Sequence, residues 1–302
     1  MMLRLALALL LGILPMRAGA TEWSAVARQD VATLNDDDIA RNAADPKFLD
    51  GLEIAQTRFS EAGFDWHLIR FINAEKPYGP LWAVPHDDEN AAFDAAIAAV
   101  KLYGGVVVAV NSGPGSSRFQ YGSGSCGGRP GVVTRCDPNR NFSAATPLYT
   151  SAYLGQLPEG QPVIALHTNS PGYGQGSGNI TILDTAAAVK GITRPRKDGH
   201  FGQNQPAILN DPDSYAILPY RAPLIPQQDK LCRAALVGQG VHVWHERVGK
   251  SDGSLSNHIV LALPTIRYVN MESRRETDLS VAAERHRQMI EAYLKGCPPS
   301  GD

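Results

Sequence analysis

Apolar positions recur along the chain in three rhythms. Over residues 64–72 (FDWHLIRFI) hydrophobic and polar residues alternate well enough for a half-buried strand. Residues 81–86 (LWAVPH), 106–110 (VVVAV) and 161–167 (QPVIALH) are short unbroken apolar runs, the pattern of strands covered on both faces. Residues 89–102 (ENAAFDAAIAAVKL) are rich in Ala and carry Phe93, Ile97 and Val100 at helical spacing, with Gly104 and Gly105 to stop the helix. A C-terminal helix is predicted over 280–294, with Leu279, Ala283, Ile290 and Leu294 turned inward. Further strands are predicted over 240–247, 259–263 and 267–272. Residues 21–75 read as short helices leading into the first strand and 111–136 as a Gly/Ser-rich loop or hairpin. Residues 171–230, rich in Gly, Pro and Asn, read as extended loops around a site.

Strands alternating with helices, with uninterrupted Val/Ile runs, predict an α/β fold: a mixed, largely parallel sheet covered by helices on both faces. No linker and no repeat of solenoid length divides the chain, so residues 21–302 are expected to form a single domain.

Composition narrows the class. The chain has 302 residues, 43% of them hydrophobic and 19% charged, which excludes a disordered tail, a coiled coil or a collagen-like fibre. A formal net charge of −2 gives no reason to expect nucleic acid as a partner. The N-terminus (MMLRLALALLLGILPMRAGA) joins the positive Arg4 to an apolar run of about ten residues, too short to span a bilayer. Ala18-Gly19-Ala20 then forms a small-residue cleavage signature, so a secretory signal peptide cut after Ala20 is expected. The mature protein is then secreted or periplasmic, with no membrane span. Four cysteines in an exported chain suggest disulfides, here Cys126–Cys136 and Cys232–Cys297; no C-x-x-C redox motif is present.

Four segments carry candidate chemistry. His86-Asp87-Asp88-Glu89 is an H-x-x-E directly after a strand and at a helix start, which sets an imidazole beside a carboxylate at the C-terminal edge of the sheet. His167 ends the buried strand VIAL and is placed to be a third ligand. Two His and one Glu leave a fourth position open, as a catalytic zinc site requires. Asp137-Pro138-Asn139-Arg140-Asn141-Phe142 sets an amide beside a guanidinium, a pair suited to bidentate capture of a carboxylate. Glu272 lies at the end of an apolar strand, where a carboxylate facing a site can act as a base.

Taken in this order, H-x-x-E, D-x-N-R-N-F, strand-His and strand-Glu before a final helix, the chain resembles the zinc carboxypeptidases of the carboxypeptidase A type over roughly residues 60–295. The resemblance implies His86, Glu89 and His167 as ligands of one zinc ion and Glu272 as general base, with Glu276 as fallback. It implies Asn139 and Arg140 as the clamp for a C-terminal carboxylate, and Asp137 as partner of a ligand histidine. An upstream arginine polarises the scissile carbonyl; Arg129 is preferred over Arg135. The chain departs from the pattern in carrying two aspartates inside H-x-x-E and no tyrosine over residues 241–260, a role Tyr173 would have to fill. The implied substrate is a peptide or a peptidoglycan-derived peptide. The alternatives are a zinc amidohydrolase deacylating N-acyl amino acids and an inactive binding module of the same fold.

Other motifs read as decoys. Gly249-Lys250-Ser251-Asp252-Gly253 matches G-x-S-x-G but is expected to be a hairpin turn between two strands rather than a nucleophile elbow. His242 and His245, three apart on a strand, face opposite sides and cannot share an ion. His200 and His258 are expected in surface loops. The glycines at 172, 174, 176 and 178 make no dinucleotide fingerprint.

Overall fold

The computed structural model describes residues 21–118, 136–171, 213–221 and 224–297 in full and residues 187–193 as backbone. The first half of the chain holds β1 (Ser24–Ala25), a 3-10 helix (Arg28–Leu34), α1 (Asp37–Asn42), β2 (Leu52–Glu61), β3 (Phe64–Asn73), β4 (Leu81–Val84), α2 (Asn90–Tyr103) and β5 (Val106–Val110). A 3-10 turn (Pro138–Arg140) leads to α3 (Pro147–Leu154) and β6 (Val163–Asn169). Then come β7 (Ala187–Thr193), β8 (Tyr215–Arg221), α4 (Gln227–Gly238), β9 (His242–Val248), α5 (Leu255–Ala262), β10 (Tyr268–Arg274) and α6 (Leu279–Gly296).

The strands form one mixed sheet in the order β1-β2-β3-β5-β4-β6-β10-β8-β9-β7. Its centre, β5-β4-β6-β10, is parallel, and it is these strands that carry the unbroken apolar runs. The flanks turn antiparallel at β3 on one side and at β8 on the other. From β4 the chain crosses through α2 to β5 on one side and reaches β6 on the other. The C-terminal end of β4 is therefore a topological switch point, where open α/β sheets leave a crevice.

Helices cover both faces, as expected. On one face Trp82, Phe93, Ile97, Ile164, Leu166, Val269 and Met271 pack with α2, α4 and α6. On the other, Trp66, Phe142, Tyr149, Tyr153, Leu255 and Ile259 join α3 and α5 to the sheet. The stop after α2 is steric as well as conformational: Gly105 has φ +90°, and a Cβ there would lie 2.1 Å from the carbonyl oxygen of Pro80.

The expected Cys232–Cys297 disulfide is present and ties α4 to the end of α6. Cys136 is disulfide-bonded as well; its expected partner Cys126 lies outside the described residues, as do the expected signal peptide over residues 1–20, Tyr173 and His200. Cys232 and Cys297 stand 65 positions apart, so chain-entropy reasoning gives about 4 kcal/mol to their bond. Replacing both by Ser is expected to lower the unfolding free energy by about that amount, read by denaturant titration without reductant; an unchanged midpoint would refute it. Among the described residues no helix is long and apolar enough to cross a membrane.

Local expectations around residues 249–263 are corrected, and the segment 171–230 holds β7 and β8 rather than loops alone. Residues 259–263 are not a strand but the second half of α5, started by Ser254, whose side chain accepts the Asn257 N–H. A five-residue apolar run fits either element, and the cap decides. The segment 249–253 therefore joins a strand to a helix rather than forming a hairpin, and His258 lies on α5 rather than in a loop. Ser251 is nonetheless exposed, and its Oγ accepts the Gly253 N–H at 3.0 Å as an ordinary turn residue does.

Candidate metal centre

The turn after β4 brings the H-x-x-E pair together. Glu89 N–H donates to the His86 carbonyl at 3.3 Å, which folds the two side chains to one side, with His86 Nδ1 3.0 Å from Glu89 Oε1. Glu89 is the N-cap of α2 but caps nothing with its carboxylate, which is directed into the site. The two intervening aspartates point away. Asp87 Oδ2 accepts the N–H of Ser112 at 3.1 Å and also its hydroxyl, anchoring the turn to the segment after β5. Asp88 pairs with Arg275 at 2.9 Å. Both side chains thus have partners of their own outside the three candidate ligands.

His167 reaches the same point from the end of β6. Its Nδ1 lies 3.0 Å from His86 Nδ1 and 3.0 Å from Glu89 Oε2. His86, Glu89 and His167 are all buried, and one donor atom from each falls within 4.8 Å of the others. The donor set fits a zinc ion: two imidazole nitrogens and one carboxylate leave one tetrahedral position open. Tetrahedral ligands at ~2.0–2.1 Å from zinc sit about 3.3 Å apart, so the present spacing needs to open by only a few tenths of an ångström.

Electrostatics point the same way. His86 Nε2 faces Asp137 Oδ1 at 2.8 Å; donating its proton there leaves Nδ1 as a lone pair aimed at Glu89. Burial pushes the His86 imidazole down, but Glu89 and Asp137 outweigh it and raise the group to about 9. The carboxylates around His86 thus favour positive charge at this point. Burial penalises the Glu89 carboxylate, yet the two imidazoles hold it well below the usual range. Asp137 behaves likewise, held low against burial by His86, Arg140 and Arg118. Asp137→Asn is expected to weaken zinc binding by about 10–100-fold, measured by competition with a chromophoric chelator; unchanged affinity would show that this carboxylate does not orient His86.

Glu272 enters from the neighbouring strand. In the parallel β6–β10 ladder it stands directly opposite His167, so the two side chains rise from the same face of the sheet about 4.8 Å apart at the backbone. Asn270, on the same face two residues before it, donates to Glu272 Oε1 at 3.0 Å. Burial raises the Glu272 carboxyl, with Glu89 adding to the effect and His167 opposing it. The fallback Glu276 is occupied elsewhere, 2.6 Å from Arg285.

The D-x-N-R segment borders the same crevice. Asp137 caps the 3-10 turn by accepting the Asn139 N–H with the oxygen that faces His86. Asn139 Oδ1 accepts the N–H of Leu255 at 3.2 Å, and Phe142 N–H donates to the Gly253 carbonyl at 2.8 Å. The two segments approach so closely that a Cβ at Gly253, φ +86°, would lie 2.4 Å from the Arg140 carbonyl oxygen. Arg140 Nη1 lies 3.6 Å from Asp252 Oδ2.

Arg129 and Arg135 lie outside the described residues. Two functional candidates escaped the sequence reading. Arg118 Nη1 lies 2.8 Å from Glu89 Oε1, a guanidinium beside the ligand set. His286 of α6 is fully buried, and its Nε2 meets the backbone carbonyl of His167 at 2.9 Å, fixing the end of β6 from below. Arg118 stands in a Gly/Ser-rich stretch with no motif around it. His286 had one signal, a lone histidine near the inward face of an otherwise ordinary amphipathic helix.

No known family profile matches the chain, and no curated protein sequence matches it significantly. Among solved structures it is similar to a candidate metallopeptidase of Shewanella denitrificans (13% identity, 88% of this chain and 92% of that one, TM-score 0.44). It is similar to a metallo-carboxypeptidase of Burkholderia cenocepacia (13%, 85% and 67%, 0.43). A third is the product-bound ectoine utilization protein of Ruegeria pomeroyi (10%, 83% and 68%, 0.37). None of the three is similar enough to lend its activity to this chain.

Proposed function

We propose that this chain is an exported zinc hydrolase that cleaves an amide bond next to a free carboxylate, working as a carboxypeptidase on peptides, cell-wall peptides among them. The observation that carries the reading is the convergence of His86, Glu89 and His167 on one point with Glu272 opposite His167 in the next strand. A structural cluster needs no additional carboxylate, held at raised pKa, beside it.

His86 Nδ1, Glu89 and His167 Nδ1 would hold the zinc ion, with Asp137 and the His286–His167 bond setting the two imidazoles in place. When bound, zinc supplies Lewis acidity and lowers the pKa of water towards ~7. Glu272 takes the proton of the attacking water and returns it to the leaving amine; burial raises its carboxyl, which makes it a better base than an exposed glutamate. Arg118 is the described guanidinium placed to stabilise the developing oxyanion. Arg140, with the Asn139 amide N–H groups, holds the free carboxylate, so the bond cut lies one residue from the chain end.

The test is a paired assay. A peptide with a free C-terminus should lose its last residue in a zinc-dependent reaction. The same peptide with an amidated C-terminus should react about a hundredfold more slowly, because Arg140 is left facing a neutral group. Equal rates on both would overturn the carboxypeptidase reading, and turnover confined to N-acyl amino acids would replace it with deacylation.

A further inference from the structure

Beyond the end of β5 lies a cavity that the chemistry above does not use. Its volume is about 600 Å³, within the range of about 300–1,000 Å³ that holds small ligands. The β2–β3 hairpin borders it on one side, with the end of the first 3-10 helix at Leu34 and Asn35 and the turn Asn111–Gly113 around the rest. On the hairpin, Arg58 of β2 stands opposite His67 of β3. His67 alternates with Ile69 and Phe71, so it faces the side of the sheet that α2 covers.

The polar groups at this cavity are of opposite hydrogen-bonding character. His67 is 6% exposed, and its Nε2 lies 2.9 Å from Gln56 Oε1. An amide oxygen only accepts, so the ring proton sits on Nε2 and Nδ1 presents a bare lone pair. Burial, with Arg58 adding to it, pushes the imidazole down to about 4, so the ring carries no charge under neutral conditions. Arg58 pairs with no carboxylate among the described residues; its hydrogen bond there is a long one, 3.4 Å from Nε to the same Gln56 oxygen. Its two Nη groups are left as donors. Asp65, the acid on the same hairpin, accepts the Ser60 hydroxyl. Asn111 is likewise engaged, by the Leu34 carbonyl and the Gly113 N–H. Asn35, exposed at the rim, adds a side-chain amide that both donates and accepts.

This pairing selects against simple ions. An ionised carboxylate only accepts and would meet the His67 lone pair; an ammonium only donates and would meet the Arg58 charge. A hydroxyl does both. We infer that the cavity binds a sugar, one hydroxyl accepting from Arg58 and its neighbour donating to His67 Nδ1, with the C–H face of the ring against Leu34. The cavity adjoins the metal centre, because Ser112 on its wall also holds Asp87 of the H-x-x-E turn. The Asn111 N–H donates to the His67 carbonyl, and β3 and β4 both flank β5. Two strand spacings, roughly 10 Å, therefore separate His67 from the chain leaving β4. A glycan seated here would present a peptide attached to it to the metal, which singles out sugar-bearing peptides among the substrates proposed above. That consequence rests on the hydrolase reading; the sugar site itself does not.

The test is a titration followed by NMR, with the uncharged disaccharides chitobiose, cellobiose and maltose as probes. At least one should bind saturably, and Arg58→Ala and His67→Phe should each weaken it about tenfold, the loss of one hydrogen bond apiece. Arg58 is exposed and lies outside the proposed catalytic groups, so its variant should keep the fold and the turnover of short peptides. Glutarate and putrescine, a dianion and a dication, should show no binding that depends on Arg58. Absence of saturable binding by all three sugars, a sugar affinity unchanged in Arg58→Ala, or tighter Arg58-dependent binding of glutarate overturns the inference. Sugar binding by a protein that cuts no peptide would leave the cavity's role standing and sink the hydrolase. Peptide hydrolysis without sugar binding would do the reverse.

Discussion

Replacing Glu272 by Gln should lower turnover by about 10²–10⁴-fold while the protein still binds close to one zinc per chain. Gln keeps the shape of the side chain and can still accept the Asn270 amide hydrogen bond, so what is removed is the ability to take a proton. Glu272 stands outside the three-residue ligand set, which is why metal content and rate should separate. The loss should appear in kcat, with KM little changed, because the proposed carboxylate clamp at Asn139 and Arg140 is untouched. Full activity in this variant, or loss of zinc along with activity, would remove Glu272 from the role of base.

His167→Ala should behave in the opposite way. It deletes one of the three candidate ligands, and a zinc site with two remaining ligands does not retain the ion through dialysis. Zinc measured by mass spectrometry should fall from about one per chain to a small fraction, and turnover should fall with it. The ion should also matter to folding: anything that binds only the native state stabilises it, so chelation should lower the melting temperature of the unmodified protein but not of His167→Ala. Zinc retained at full stoichiometry in His167→Ala would refute the ligand set.

The candidate site was legible in the sequence because its parts sit at forced positions. An H-x-x-E between a strand and a helix has little choice of geometry, and a histidine ending a buried run must emerge at a sheet edge. His86, Glu89 and His167 accordingly meet. The central strands were legible for the same reason, being continuous runs of Val, Ile and Ala. The parts that escaped depend on contacts with no local trace. Arg118 reaches Glu89 from a segment whose composition says only that it is a loop. The strand expected over 259–263 failed for want of length, five apolar residues being compatible with either element until Ser254 caps a helix.

The ladder between β6 and β10 has a further consequence. His167 and Glu272, the proposed metal ligand and base, face each other on one rung of the sheet's parallel centre, flanked by Leu166 and Met271, which are fully buried. A slip of one position would send Glu272 to the opposite face, so no partial loosening of the centre is compatible with work. Heat or denaturant should therefore extinguish the proposed activity in a single step, its last functioning molecules being also its last folded ones.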